Sequence, residues 1–246
     1  MSEVSSDLVF HFTSEPNTVL SILKNGFYPR MSKENMSIVL PAYDNVTLGM
    51  PMVCFTDIPL DRSSEHRAQY GSYGLGLSKE WAKRHKISPV FYMIRESGSW
   101  EIYNHMQAYV KKLIQIIDIF KKTKEMQDIS DEAVSSLIEL SGYIKPYSED
   151  GSEKIFYDER EWRYVPPFRD IPDYCNWLLP EMLNGNTELE KLNRKMEVKY
   201  ALEFSVDDDL KKIIVPIKAD MSKIQSELYS LKCRDPEALI RKIEQL

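Results

Sequence analysis

The hydrophobic pattern of this chain changes period partway along, and that change limits the folds open to it. In LVFHFT near the start, Leu8, Phe10 and Phe12 alternate with Val9, His11 and Thr13, the period of two that belongs to a strand, so that His11 faces away from the phenylalanines. Between residues 100 and 145 the pattern is different: Ile102, Met106, Tyr109, Val110, Leu113, Ile117 and Phe120 recur at helical spacing, and a second helix is expected from near Ser130 with Val134, Leu137, Ile138 and Ile144 inward. This predicts a helical hairpin inserted between strands over about residues 100–148.

Strands are expected at PMVCFTDIPL, PVFYMI, WRYVPP, VKYALEF and KKIIVPI. Helices are expected after Asn17, ending at Gly26; on SSEHRAQY, capped by Ser63 or Ser64; and on KEWAKRHK, capped by Ser78. Others are expected around YCNWLLPEML, on MSKIQSELYSL and on DPEALIRKIEQL, the last opening with Asp235 as cap and Pro236 at the first helical position. YGSYGLGLS carries three glycines, so its backbone is expected to bend tightly or to approach something closely. Long segments between strands, without regular strand–helix alternation, predict an α+β sheet core with a helical insertion and C-terminal helices, in one domain spanning 1–246. No GxGxxG or GxxxxGK[ST] run is present, which argues against a Rossmann or P-loop nucleotide site.

Composition narrows the partners. Thirty-two basic and 38 acidic residues leave a net charge of −6, which disfavours a surface built for bulk phosphate, although WAKRHK is a local basic stretch. Cys54, Cys175 and Cys233 form no CxxC pair, and the four histidines show no ligand spacing, so neither a disulfide framework nor a metal site is expected. The N-terminus lacks a basic stretch followed by an apolar one, and no apolar run nears the roughly 18 residues of a membrane span. A cytoplasmic protein without membrane attachment is expected.

The densest chemistry lies in FYDEREWRYVPP. With a strand starting near Glu159, the acids Glu159 and Glu161 share a face with Arg163, while Arg160, Trp162 and Tyr164 share the other. Ordinary surface ion pairing, worth roughly 0–1 kcal/mol each, is one account of that face. Company supplies the other. In chain order, His11 in an early strand, Tyr70 at the end of a Ser-started helix and Glu161 in a late strand resemble the His-Tyr-Glu arrangement of the ADP-ribosyltransferase superfamily.

That resemblance implies a split β-sheet core and NAD as substrate, with no metal. His11 would hold the adenosine-side ribose, and Tyr70, or Tyr73 three residues on, would stack on the nicotinamide ring. Glu161 would bond the nicotinamide ribose 2′-hydroxyl and stabilise the positive charge that develops as the glycosidic bond breaks. Glu159 resembles the first acid of an ExE pair and would orient or deprotonate the acceptor. His66, four residues before Tyr70 on a helix, would lie beside it, and Arg163 would meet either the pyrophosphate or one of the two acids. Which of Glu159 and Glu161 is essential turns on where the strand starts.

The wider run of VCFTDIPL, the H-x-x-x-Y-G of His66 to Gly71, WAKRHKISPVFYM and FYDEREWR is similar to the bacterial abortive-infection AbiGi family. Membership implies a role in phage defence, with a partner protein encoded alongside. Three functions follow: an NAD-dependent transferase acting on a protein or nucleic acid; a non-catalytic antitoxin or regulator that docks a partner through the helical insertion; or a nucleic-acid-binding regulator.

Overall fold

The computed structural model describes residues 5–40, 47–119, 123–149, 152–167 and 187–245. Along the chain run β1 (Leu8–Thr13), α1 (Pro16–Asn25), β2 (Arg30–Asn35), β3 (Thr47–Thr56), α2 (Ser64–Tyr70), β4 (Tyr73–Ser78) and α3 (Lys79–Arg84). Next come β5 (Ser88–Pro89), β6 (Phe91–Met93), α4 (Gly98–Ile119), α5 (Lys124–Gly142), β7 (Ile144–Pro146) and β8 (Glu161–Tyr164). The chain ends with α6 (Thr187–Tyr200), β9 (Leu210–Val215), α7 (Lys218–Leu228), α8 (Pro236–Ile240) and β10 (Ile243–Gln245).

The main sheet is mixed, ordered β10-β9-β4-β1-β3-β8-β5, with β2 also paired to β3. This is an α+β architecture. Its two halves meet at one thin seam. β1 pairs with β4 along all six of its residues, from Leu8↔Ser78 to Thr13↔Tyr73, yet meets β3 at a single register pair, Phe10↔Thr56. Beyond that pair the ladder stops, and the His11 ring takes over the link: its Nδ1 lies 2.8 Å from the Cys54 carbonyl oxygen.

Alternation along β1 divides the core. Val9 joins the main cluster with Phe27, Phe55, Leu75 and Trp81, whereas Phe10 and Phe12 pack on the opposite face with Ile214. Of the three glycines of YGSYGLGLS, Gly71 turns the chain after α2 at φ 111°, while Gly74 and Gly76 lie in β4, a fully buried strand, and serve close approach: a Cβ on Gly74 or Gly76 would stand 2.7 Å from a ring carbon of Phe12 or Phe10. A third cluster, of Met50, Met52, Met93, Tyr103 and Ile144, joins β3 to the helical pair α4–α5. That pair runs from the end of β6 to the start of β7, which lie side by side as a parallel two-stranded sheet.

Several expectations change. VKYALEF is not a strand: α6 continues through Tyr200 because Met196 and Tyr200 bury at helical spacing, and only Leu202 bridges, to Phe27. The polar RMSKEN, which lies outside every expected strand and helix, is β2, held by a six-pair ladder against the buried β3. α5 starts at Lys124, capped by Thr123, rather than near Ser130. The chain does not end in a long helix: Asp235 caps α8 as expected, but α8 stops at Ile240, and Ile243–Gln245 adds a parallel strand to β9. Pro16, not Asn17, opens α1. YCNWLLPEML and Cys175 lie outside the described residues.

Candidate functional site

The two acids of EREWR do not share a strand. Glu159 closes a 3₁₀ turn, Phe156–Glu159, and β8 begins only at Glu161. Between them Arg160 takes a left-handed conformation, φ 46° and ψ 49°, which costs a non-glycine residue roughly 1–2 kcal/mol. Asp57 holds it there: its N–H donates to the Arg160 carbonyl (3.3 Å), and its carboxylate accepts from Arg160 Nε (2.9 Å), from Lys79 (3.0 Å) and from Ser5 (2.6 Å). Burial would raise the Asp57 carboxyl, but these donors hold it below its ordinary value.

The kink turns both acids onto one cation. Lys145, in β7, donates to Glu159 Oε2 at 2.5 Å and to Glu161 Oε2 at 2.7 Å. Beneath it the Arg163 guanidinium, 1% exposed, donates through Nε and Nη2 to Glu161, through Nη2 to Glu34 and through Nη1 to the Gly142 carbonyl. Burial opposes ionisation of Glu161, but Arg163 and then Lys145 overcome it and bring the carboxyl down to about 2. For Lys145 burial would lower the ammonium, and the Glu161 charge, followed by Glu159, lifts it above its ordinary range. Glu161, Lys145 and Arg163 are therefore charged at neutral pH. The cost of burying them is offset only because they are bonded to one another.

Around this network stands an aromatic wall. Tyr70 Oη donates to Glu159 Oε1 at 3.1 Å, and its ring lies 4.6 Å from that of His66, which in turn meets Phe12 edge-on. Burial and then the Glu159 charge hold the Tyr70 phenol above its usual range, and burial lowers His66. Burial likewise depresses His11, against the opposing effect of its bond to Cys54. A neutral His11 whose Nδ1 donates to that carbonyl keeps Nε2 as an acceptor.

His11, His66, Tyr70, Glu159 and Glu161 all line one cavity of about 420 Å³ at the fork between β1 and β3, together with Glu34, Cys54 and Lys145. Two residues expected at the site lie elsewhere. Tyr73 is buried in the main core with its hydroxyl on Asp220, because β4 turns it away from the fork. Arg163 lies under the cavity rather than in its lining, with its donors directed to Glu161, Glu34 and Gly142. Lys145 and Glu34 were not legible as site residues. Lys145 reaches acids 14 and 16 positions away, and Glu34 meets an arginine 129 positions away, so neither leaves a local spacing signal.

A second cavity, of about 520 Å³, adjoins the first; His66, Lys154 and Glu159 line both, whereas Glu161 lines only the first. Among the described residues, no group of three or more His, Cys, Asp or Glu side chains could hold a metal ion, and no helix is long and apolar enough to cross a membrane.

These features define an α+β protein whose thinly joined sheet carries a buried acid–lysine–arginine network beneath a ligand-sized cavity. Residues 25–216 match the family described as "Putative abortive phage resistance protein AbiGi, antitoxin", and the chain belongs to that AbiGi family. It is also similar to "Abortive phage resistance protein AbiGi" of Lactococcus lactis subsp. cremoris, with 31% identity over 166 residues. That alignment covers 58% of this chain and 62% of the relative, so it spans less than two thirds of the relative's length. No solved structure matches the chain.

Proposed function

We propose that this AbiGi-family protein serves phage defence as an ADP-ribosyltransferase-like protein that binds NAD in the fork cavity and passes ADP-ribose to a protein or nucleic-acid acceptor in the cytoplasm. The observation that carries the reading is the division of the acids, with Glu161 facing one cavity and Glu159 facing both. A donor site and an acceptor site would then meet at Glu159. In the reaction the bond from ribose C1′ to the nicotinamide nitrogen breaks, and its electron pair leaves with the ring, which departs neutral. The ionised Glu161 stabilises the positive charge left on the sugar. The acceptor's nucleophile supplies the new electron pair to C1′, and its proton passes to the Glu159 carboxylate and then to solvent. His11 Nε2, an acceptor, suits a ribose hydroxyl, and Tyr70 with His66 offers stacking surface.

Lys145 favours a second reading. Its ammonium is bonded to both acids, so it already supplies the positive charge that a reacting sugar would bring. A protein with this arrangement would act without catalysis, as an antitoxin or regulator that binds a partner protein, in keeping with the word antitoxin in the family description. Calorimetric titration with NAD, followed by assay of nicotinamide release, separates the two. Binding with release that Glu159→Gln lowers at least a hundredfold supports the transferase. Binding without release supports a regulator that retains the nucleotide site, and absence of binding removes NAD from both.

A further inference from the structure

α4 carries apolar residues on two sides, and among the described residues only one of them is packed. Tyr103 and Ile117 are buried on the inner side, where Trp100 Nε1 also donates to the Ile38 carbonyl. On the outer side Ile102, Met106, Tyr109, Leu113 and Ile116 are 63%, 43%, 68%, 38% and 49% exposed. Their spacing is four, three, four and three, the alternation that keeps one seam of a helix facing a second helix. The stripe covers fifteen positions, about 22 Å at 1.5 Å per residue, a long continuous apolar surface to leave in water.

Charge indicates what fits it. In that heptad register one flank of the seam is Tyr103, Val110 and Ile117, turned toward the protein, and the other flank is exposed His105 and Lys112, with the Lys112 ammonium 5.9 Å from the Tyr109 ring. A second copy of this chain packed antiparallel would set these flank residues against their own counterparts, placing basic groups together. A helix with acidic residues at its flanks would meet Lys112 with opposite charge. We propose that the outer seam of α4 is a docking site for an amphipathic helix of a partner protein, with an apolar four-three stripe flanked by Glu or Asp.

Two synthetic 21-residue helices test this, both with Leu and Ile at the seam positions, one with Glu and one with Lys at the flanks, read by fluorescence anisotropy against the full chain below the concentration at which the peptides self-associate. The Glu-flanked helix is expected to bind at least tenfold more tightly, Lys112→Glu to reverse the preference, and Tyr109→Ser with Leu113→Ser to weaken binding at least tenfold without lowering Tm. Failure of both peptides to bind, or equal binding by both, overturns the proposal. Two further results also overturn it: a concentration-dependent dimer in sedimentation that Leu113→Ser abolishes, which assigns the face to a second copy, and a marked fall in Tm of the serine variant, which assigns it to packing within the chain.

Discussion

One oxygen of the Glu161 carboxylate accepts from Lys145 at 2.7 Å and from Arg163 at 3.0 Å, while its other oxygen accepts from Arg163 Nε at 2.5 Å. One acid therefore joins the floor of the cavity to the last turn of the helical insertion, since Arg163 also bonds the Gly142 carbonyl and Lys145 follows three residues later. Charged groups buried this deeply persist only while each retains its partners.

Glu161→Gln keeps the volume but removes the charge from between two cations. It is expected to lower stability by about 3–5 kcal/mol, seen as a lower urea midpoint, so lost activity in this variant reports on the fold as well as on chemistry. Tyr70→Phe is the cleaner probe, and Glu159→Gln, which also loses a buried charge paired with Lys145 and Lys154, is read beside its own urea midpoint. Tyr70 is 40% exposed, and losing its hydrogen bond should cost only about 0.5–1.5 kcal/mol.

Lys145→Met leaves Glu159 and Glu161 facing each other without their shared cation. At pH 7 the loss should again be about 3–5 kcal/mol. Because Lys145 helps to hold Glu161 ionised, Glu161 in the variant regains its proton more easily, and the gap to wild type should narrow as pH falls toward 4. Parallel urea titrations at the two pH values would show it, and a gap that stays constant would mean that Lys145 contributes packing rather than charge.

Acid stability should fall in two stages. The folded His11 and His66 lie below 6.5, so the stability they contribute is present above 6.5 and is lost as pH falls below it. The folded Glu161 lies at about 2 against an ordinary 4.5, so its contribution, of order 3 kcal/mol, is present above 4.5 and is lost between there and about 2. His11→Phe should flatten the first stage and Glu161→Gln the second, as read from urea midpoints across the range.

Gly76→Ala should destabilise by about 1–3 kcal/mol, since its methyl would stand 2.7 Å from Phe10 Cε1 and 3.2 Å from Lys212 Cβ. Pairing it with Phe10→Leu should recover part of the loss, whereas a neutral effect of Gly76→Ala alone would show that the Phe10 ring can move aside.

Periodicity alone sufficed for the strand at Leu8–Thr13, for the helical insertion and for the caps at Ser78 and Asp235, because these depend on neighbours within a few residues. The resemblance to the His-Tyr-Glu arrangement, and not periodicity, marked His11, His66, Tyr70, Glu159 and Glu161 as candidates, all of which line one cavity. The resemblance misplaced Tyr73, and periodicity misread the C-terminal strand as helix and could not reveal β2, whose polar residues are held in a ladder by the buried strand beside them. The burial of Arg163, the kink at Arg160 that turns both acids onto Lys145, and the link from His11 to Cys54 were decided by tertiary structure alone. Each depends on groups 14 to 129 residues apart, and the charges of such groups are felt only once the chain has brought them within hydrogen-bonding distance and excluded the water that would screen them.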